Sequence, residues 1–86
     1  MKVVAKDVEM IAWFKKPEIP IPIKFMIYDK YEKKIIKVNK IIHTEEEKLA
    51  GNKMYIYRCQ SLIKNQEIIY ELKYEVSHCR WYLFKI

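Results

Sequence analysis

An all-β domain is the fold class this sequence predicts, and three observations carry the expectation. From Ile68 to Val76 apolar and charged residues alternate without a break. Ile68, Tyr70, Leu72, Tyr74 and Val76 fall on one side; Ile69, Glu71, Lys73 and Glu75 fall on the other. That is the rhythm of a strand with one face in a core and one in water. A second run, Arg80-Trp81-Tyr82-Leu83-Phe84-Lys85-Ile86, follows a short turn at Ser77–Cys79 and reads as a returning strand. Third, short apolar runs recur at even spacing along the chain, separated by polar loops. Together these predict five or six antiparallel strands in a meander, curled into a small, SH3-like, partly open barrel. An N-terminal helix packed on a four- or five-stranded sheet is the alternative.

The remaining elements follow in chain order. Residues 3–14 fit either period, since Val8, Met10, Ala12 and Phe14 alternate with Glu9, Ile11 and Trp13, while Val4, Val8 and Ile11 also make a helical stripe. Their β-branched and aromatic content favours a strand. Over 19–29, Ile19, Ile21, Ile23, Phe25 and Ile27 alternate with Pro20, Pro22, Lys24, Met26 and Tyr28. Two prolines two residues apart remove donors on one side, so this strand is expected to begin at a sheet edge and join the ladder after Pro22. Asp29 to Lys33 is a polar loop. The 35–43 run loses its alternation at Lys40, where Ile41 and Ile42 are both apolar, and a bulge near Asn39-Lys40 would re-aim it. Thr44 with Glu47 fits a capping box, three glutamates suit a helix N-terminus, and Gly51 suits a left-handed cap. One helical turn is therefore expected near 45–50. Met54–Leu62 is a strand, and Lys64-Asn65-Gln66 turns the chain, Asn65 tolerating positive φ.

Eighty-six residues support one domain, 1–86, because a chain this short has room for a single core. Hydrophobic residues at 51% exclude a disordered chain. No apolar run approaches the roughly 18–20 residues that span a bilayer, and residues 1–15 carry Asp7 and Glu9 without the apolar stretch of a signal peptide. A cytoplasmic protein without a membrane association is expected. Cys59 and Cys79 are expected to be reduced, with Cys59 in the core.

Candidate chemistry is sparse. The four possible zinc ligands, His43, Cys59, His78 and Cys79, lack knuckle spacing. Cys59 alternates with Tyr57 on an apolar face, where a thiol is inert, and one glycine cannot make a phosphate-binding loop. No cofactor, no metal and no catalysis are expected. The formal net charge of +6 permits a polyanionic partner, yet Arg58 and Arg80 are the only arginines among 17 basic residues. Lys30, Lys33, Lys34, Lys37 and Lys40 lie beside Tyr28 and Tyr31, a mixture of cations and rings that single-strand binders use. On the last strand both faces are apolar, so Tyr82 and Phe84 are either covered by the N-terminal arm or exposed as a binding patch. These nine residues are the candidate surface. The function expected is a non-enzymatic protein–protein adaptor. A nucleic-acid (DNA or RNA) module using hairpin 28–40 is the alternative, and a small hydrolase or metalloprotein a remote one. A homodimer would use a free strand edge or the Tyr82/Phe84 face.

Pro22 with Phe25, the Ile36–Val38 strand, Tyr57-Arg58-Cys59, Tyr70-Glu71-Leu72 and Arg80-Trp81-Tyr82-Leu83 together resemble a family of short, uncharacterised clostridial-type bacterial proteins. More distantly, they are similar to a small domain of unknown function that accompanies Y-family-polymerase-like proteins of damage tolerance. The resemblance implies a small structural module and brings no catalytic residue with it.

Overall fold

The computed structural model describes residues 1–28 and 30–86. Asp29, which falls in both the expected 19–29 strand and the expected 29–33 loop, lies outside the described residues. Among them the chain forms β1 (Val3–Asp7), β2 (Glu9–Trp13), β3 (Ile21–Tyr28), β4 (Lys33–Lys37), β5 (Lys40–Leu49), β6 (Asn52–Ile63), β7 (Gln66–Glu75) and β8 (Arg80–Lys85), with one 3₁₀ turn at Val76–His78. The domain is all-β, and no α-helix occurs among the described residues.

All pairings are antiparallel, in a five-stranded sheet of order β1-β8-β7-β6-β5 and a three-stranded sheet of order β2-β3-β4. The ladders do not close into the expected barrel. Two stretches pass instead from one sheet to the other, the usual way in which packed sheets make corners. The 3–14 run bends at Val8, whose N–H donates to the Trp81 carbonyl at 3.2 Å. The 33–49 run bends at Val38-Asn39, where Val38 N–H bonds Ile23 in the small sheet and Asn39 N–H bonds Gln60 in the large one. The 3–14 and 35–43 runs, each expected to be one strand, thus contribute to two.

The helical turn expected near 45–50 is a strand. Glu45, Glu46 and Glu47 sit opposite Ile56, Tyr55 and Met54 in the β5–β6 ladder. Lys53 reaches Glu46 at 3.3 Å, and Lys73 reaches Glu47 at 3.6 Å. Cross-strand pairing supplies the counter-charges that a helix dipole would have supplied, and the long partner strand outweighs the local cap signal. Gly51 has positive φ as expected, but in a hairpin. Ala50 at +50° and Gly51 at +81° join the paired Leu49 and Asn52, the two left-handed residues that a twisted two-residue hairpin requires. Lys64 at +49° and Asn65 at +62° do the same between Ile63 and Gln66.

Two further expectations shift. The bulge lies between Ile41 and His43, just past Asn39-Lys40, because the corner occupies the earlier position. β3 is the central strand of its sheet rather than an edge, and Pro22 pairs with Ala12 within it. A register shift between Ile11 and Ala12 accompanies the proline. The Ile23 carbonyl faces β4, where it accepts Val38 N–H, so the backbone of Pro22 faces β2 and its missing N–H falls beside that shift.

The core lies between the sheets. From the large sheet come Tyr57, Cys59, Tyr70, Leu72, Tyr74, Trp81 and Leu83; from the small one come Phe25 and Ile36. Tyr74 and Trp81 stack at 4.6 Å between ring centroids, Tyr57 and Trp81 at 5.4 Å, and Phe25 leans on Tyr70 at 5.6 Å. Burying rings this large drives the sheets together, but each phenol needs a partner. Tyr57 donates to the Pro20 carbonyl. Ser61 Oγ donates to the Lys37 carbonyl at 2.6 Å, so the Tyr70 hydroxyl donates to Ser61. Both bonds run from the large sheet to the corners or ends of the small one. Replacing Ser61 with Ala strands the Tyr70 hydroxyl and the Lys37 carbonyl and is expected to cost about 1–3 kcal/mol in urea unfolding. Adding Tyr70→Phe to it is expected to cost less than the two single losses together, since one orphan is removed.

Candidate functional site

Strand alternation gives each sheet an outer face, and the two differ in kind. On the five-stranded sheet that face carries Ile56 and Arg58 of β6, Glu71, Lys73 and Glu75 of β7, and Arg80, Tyr82 and Phe84 of β8. Its charges are matched locally. Arg58 meets Glu71 at 3.0 Å and Arg80 meets Asp7 at 2.9 Å. Lys73, paired with Glu47, also lies 3.8 Å from the Phe84 ring centroid. Asn52 and the neighbouring His78 hold the Glu75 carboxyl below its ordinary range. Tyr82 touches Met54 through its hydroxyl, has Arg80 at 5.7 Å from its ring, and meets Phe84 edge-on. Both rings are half-buried. The N-terminal segment pairs beside β8 as β1, so the rings are covered by cations rather than by the arm.

The outer face of the three-stranded sheet is unlike this. Its register sets three rows: Tyr28 beside Lys33; Glu9, Met26 and Ile35 in line; and Ile11, Lys24 and Lys37 in line. Trp13 continues the face beyond Ile11. Ile35 is 62% exposed, Ile11 57% and Trp13 55%, an apolar centre on a surface where scattered single residues are the norm. A shallow hollow of about 370 Å³ lies among Glu9, Ile11, Lys24, Met26 and Ile35. Glu9 is the only carboxylate in these rows, and it accepts the Tyr28 hydroxyl at 3.3 Å. Its charge raises the Tyr28 phenol above its ordinary value.

The nine candidate residues are therefore divided. Tyr28, Lys33 and Lys37 share the small sheet's outer face. Lys34 has the opposite parity, opposite Ile27. Lys30 and Tyr31 are exposed in the loop beyond Tyr28. Lys40 belongs to β5, opposite Gln60, and Tyr82 and Phe84 lie on the other sheet. Ile11, Trp13, Lys24, Met26 and Ile35 complete the face and were not singled out from the sequence. Their alternation is legible there; which of the two alternating sets meets water is not.

Among the described residues no group of three or more His, Cys, Asp or Glu side chains could hold a metal ion. Among the same residues no helix is long and apolar enough to cross a membrane. Cys59 is fully buried and its thiol is pushed up to about 12 by burial, while Cys79 is exposed. No family model matches the chain, nor does any curated protein or solved structure.

A thiol reagent at neutral pH is expected to titrate one group, Cys79, in the folded protein and a second only after unfolding. Burial also raises the Tyr70 phenol to about 12. Both folded values lie above the ordinary ones of 9.0 for the thiol and 10.0 for the phenol. The stabilisation is thus complete at lower pH and is lost as pH rises towards the folded values. Thermal melting is expected to fall progressively from about pH 9 to pH 12.

Proposed function

We propose that this protein is a non-enzymatic binding module that docks a protein partner on the outer face of its three-stranded sheet. The observation that carries the reading is the apolar patch of exposed Ile11, Trp13 and Ile35 around half-buried Met26, framed by Lys24, Lys33 and Lys37. An apolar centre with a polar rim is how protein interfaces are built. On the opposite sheet Tyr82 and Phe84 are instead half-buried against Met54, Lys73 and Arg80.

The nucleic-acid reading draws on the same lysines, on Tyr28 and on the charge of +6. The centre of the face weighs against it. Bases stack on rings, and the positions between these lysines hold isoleucine and methionine. Of the residues behind the bacterial-family resemblance, Phe25, Ile36, Cys59, Leu72 and Trp81 are buried in the core, while Arg58, Glu71, Arg80 and Tyr82 lie on the outer face of the large sheet. That similarity concerns a scaffold and leaves the partner to the exposed face.

A photoreactive side chain at Ile11 is expected to cross-link one discrete protein in cells, and the same group at Glu45 on the other sheet is expected to cross-link none. Equal adducts from both positions would remove the reading. Affinity for single-stranded DNA that is measurable at about 50 mM salt and collapses by about 200 mM would replace it with the nucleic-acid one.

A further inference from the structure

The two sheets separate along one side of the molecule, between β4 and the end of β6. Val38 N–H donates to the Ile23 carbonyl at 2.9 Å. In an antiparallel ladder, residues alternate between facing the partner strand and facing away. Lys33, Ile35 and Lys37 therefore turn their backbone groups away from β3. The Lys37 carbonyl has that parity, since it accepts Ser61 from the other sheet. No strand pairs with β4 on this side, so the amide and carbonyl of Ile35 stand at an open edge. Across the gap, Leu62 N–H is already met by Asn39 Oδ1 at 2.7 Å, and the Ser61–Lys37 bond joins the two walls at one end.

Between the walls lies a groove of about 410 Å³, lined by Lys34, Ile35, Lys37, Leu62 and Lys64 together with the flanks of Ile36 and Ile63. Three lysines and no carboxylate line it. The nearest acid in the β6–β7 ladder is Glu67, opposite Leu62. Lysines on an edge guard it against chance pairing. Here they stand beside two exposed aliphatic side chains, Ile35 and Leu62, at 62% and 61%. Such an edge repels basic strands and admits one whose carboxylates answer the lysines and whose apolar side chains answer Ile35 and Leu62. It offers no ring on which a base could stack.

We infer that the groove takes an extended, acidic segment of a partner protein, added as a further strand on the edge of β4. Main-chain bonds to Ile35 would supply affinity, and Lys34, Lys37 and Lys64 would select for acidic side chains. This deepens the adaptor reading and rests on it, the groove being continuous with the proposed docking face through Ile35 and Lys37.

The test uses the whole chain and a synthetic peptide of about eight residues, long enough for an average strand, alternating Glu and Val. At about 1 mM peptide, exchange of the Ile35 amide is expected to slow about tenfold or more by NMR. Ile35→Pro, which removes the outward-facing donor without removing a donor to β3, is expected to abolish binding. Ile35→Thr, which keeps the donor, is expected to retain it. Lys34→Glu with Lys64→Glu is expected to weaken binding about tenfold or more. Absent protection, undiminished binding by Ile35→Pro, or equal protection by a Lys/Val peptide or an oligothymidylate would overturn the inference. Cross-linking from Ile11 with a silent edge would sink the strand and spare the adaptor. Edge protection without a partner at Ile11 would support the strand and sink the docking face.

Discussion

Ser61 holds the two sheets in register. Its hydroxyl receives the Tyr70 phenol from within the core and donates to the Lys37 carbonyl at the end of the small sheet. Aromatic burial alone is indifferent to how two sheets slide over one another. A buried phenol that must find a partner is not. Tyr57 imposes the same condition at the other end through the Pro20 carbonyl. With both phenols satisfied, the β4 corner closes against β6 at Ser61, and the remainder of β4 is left with an open edge.

The division of labour between the two sheets follows from their length. Long strands let β5, β6 and β7 align acids and bases across the large sheet, where Lys53 meets Glu46, Arg58 meets Glu71 and Lys73 meets Glu47. Lys73 shows the economy of that arrangement, bridging Glu47 and capping Phe84 at once. The small sheet has too few acidic positions for this. Its lysines surround aliphatic side chains, and its three strands carry four lysines against one glutamate.

Several parts of the fold were legible because they depend on neighbours in sequence. The nine-residue alternation from Ile68 to Val76 marks a strand whatever it pairs with, and the period of two puts Trp81 and Leu83 on one face of the last strand and Tyr82 and Phe84 on the other. Asn65 turns a hairpin because its backbone tolerates positive φ. The segment from Thr44 to Gly51 shows the reverse case. Its cap residues and glutamates satisfy every local rule for a helix, yet a twelve-residue partner strand offers more hydrogen bonds and better-placed lysines than one helical turn. The candidate face was half legible. Tyr28, Lys33 and Lys37 stood out by charge and ring, whereas Ile11 and Ile35 carry no charge or ring to mark them as a surface.

The sequence by itself determined the all-β class, the turn at Lys64-Asn65, and the aromatic set that fills the interior, since each is written in a period of two or in a backbone preference. Only the tertiary structure decided that two runs bend at Val8 and Val38 to serve both sheets, and hence which isoleucines meet water. Alternation assigns residues to two sides of a strand. Which side is inside depends on where the second sheet lies, and that is set by contacts between residues far apart in the chain.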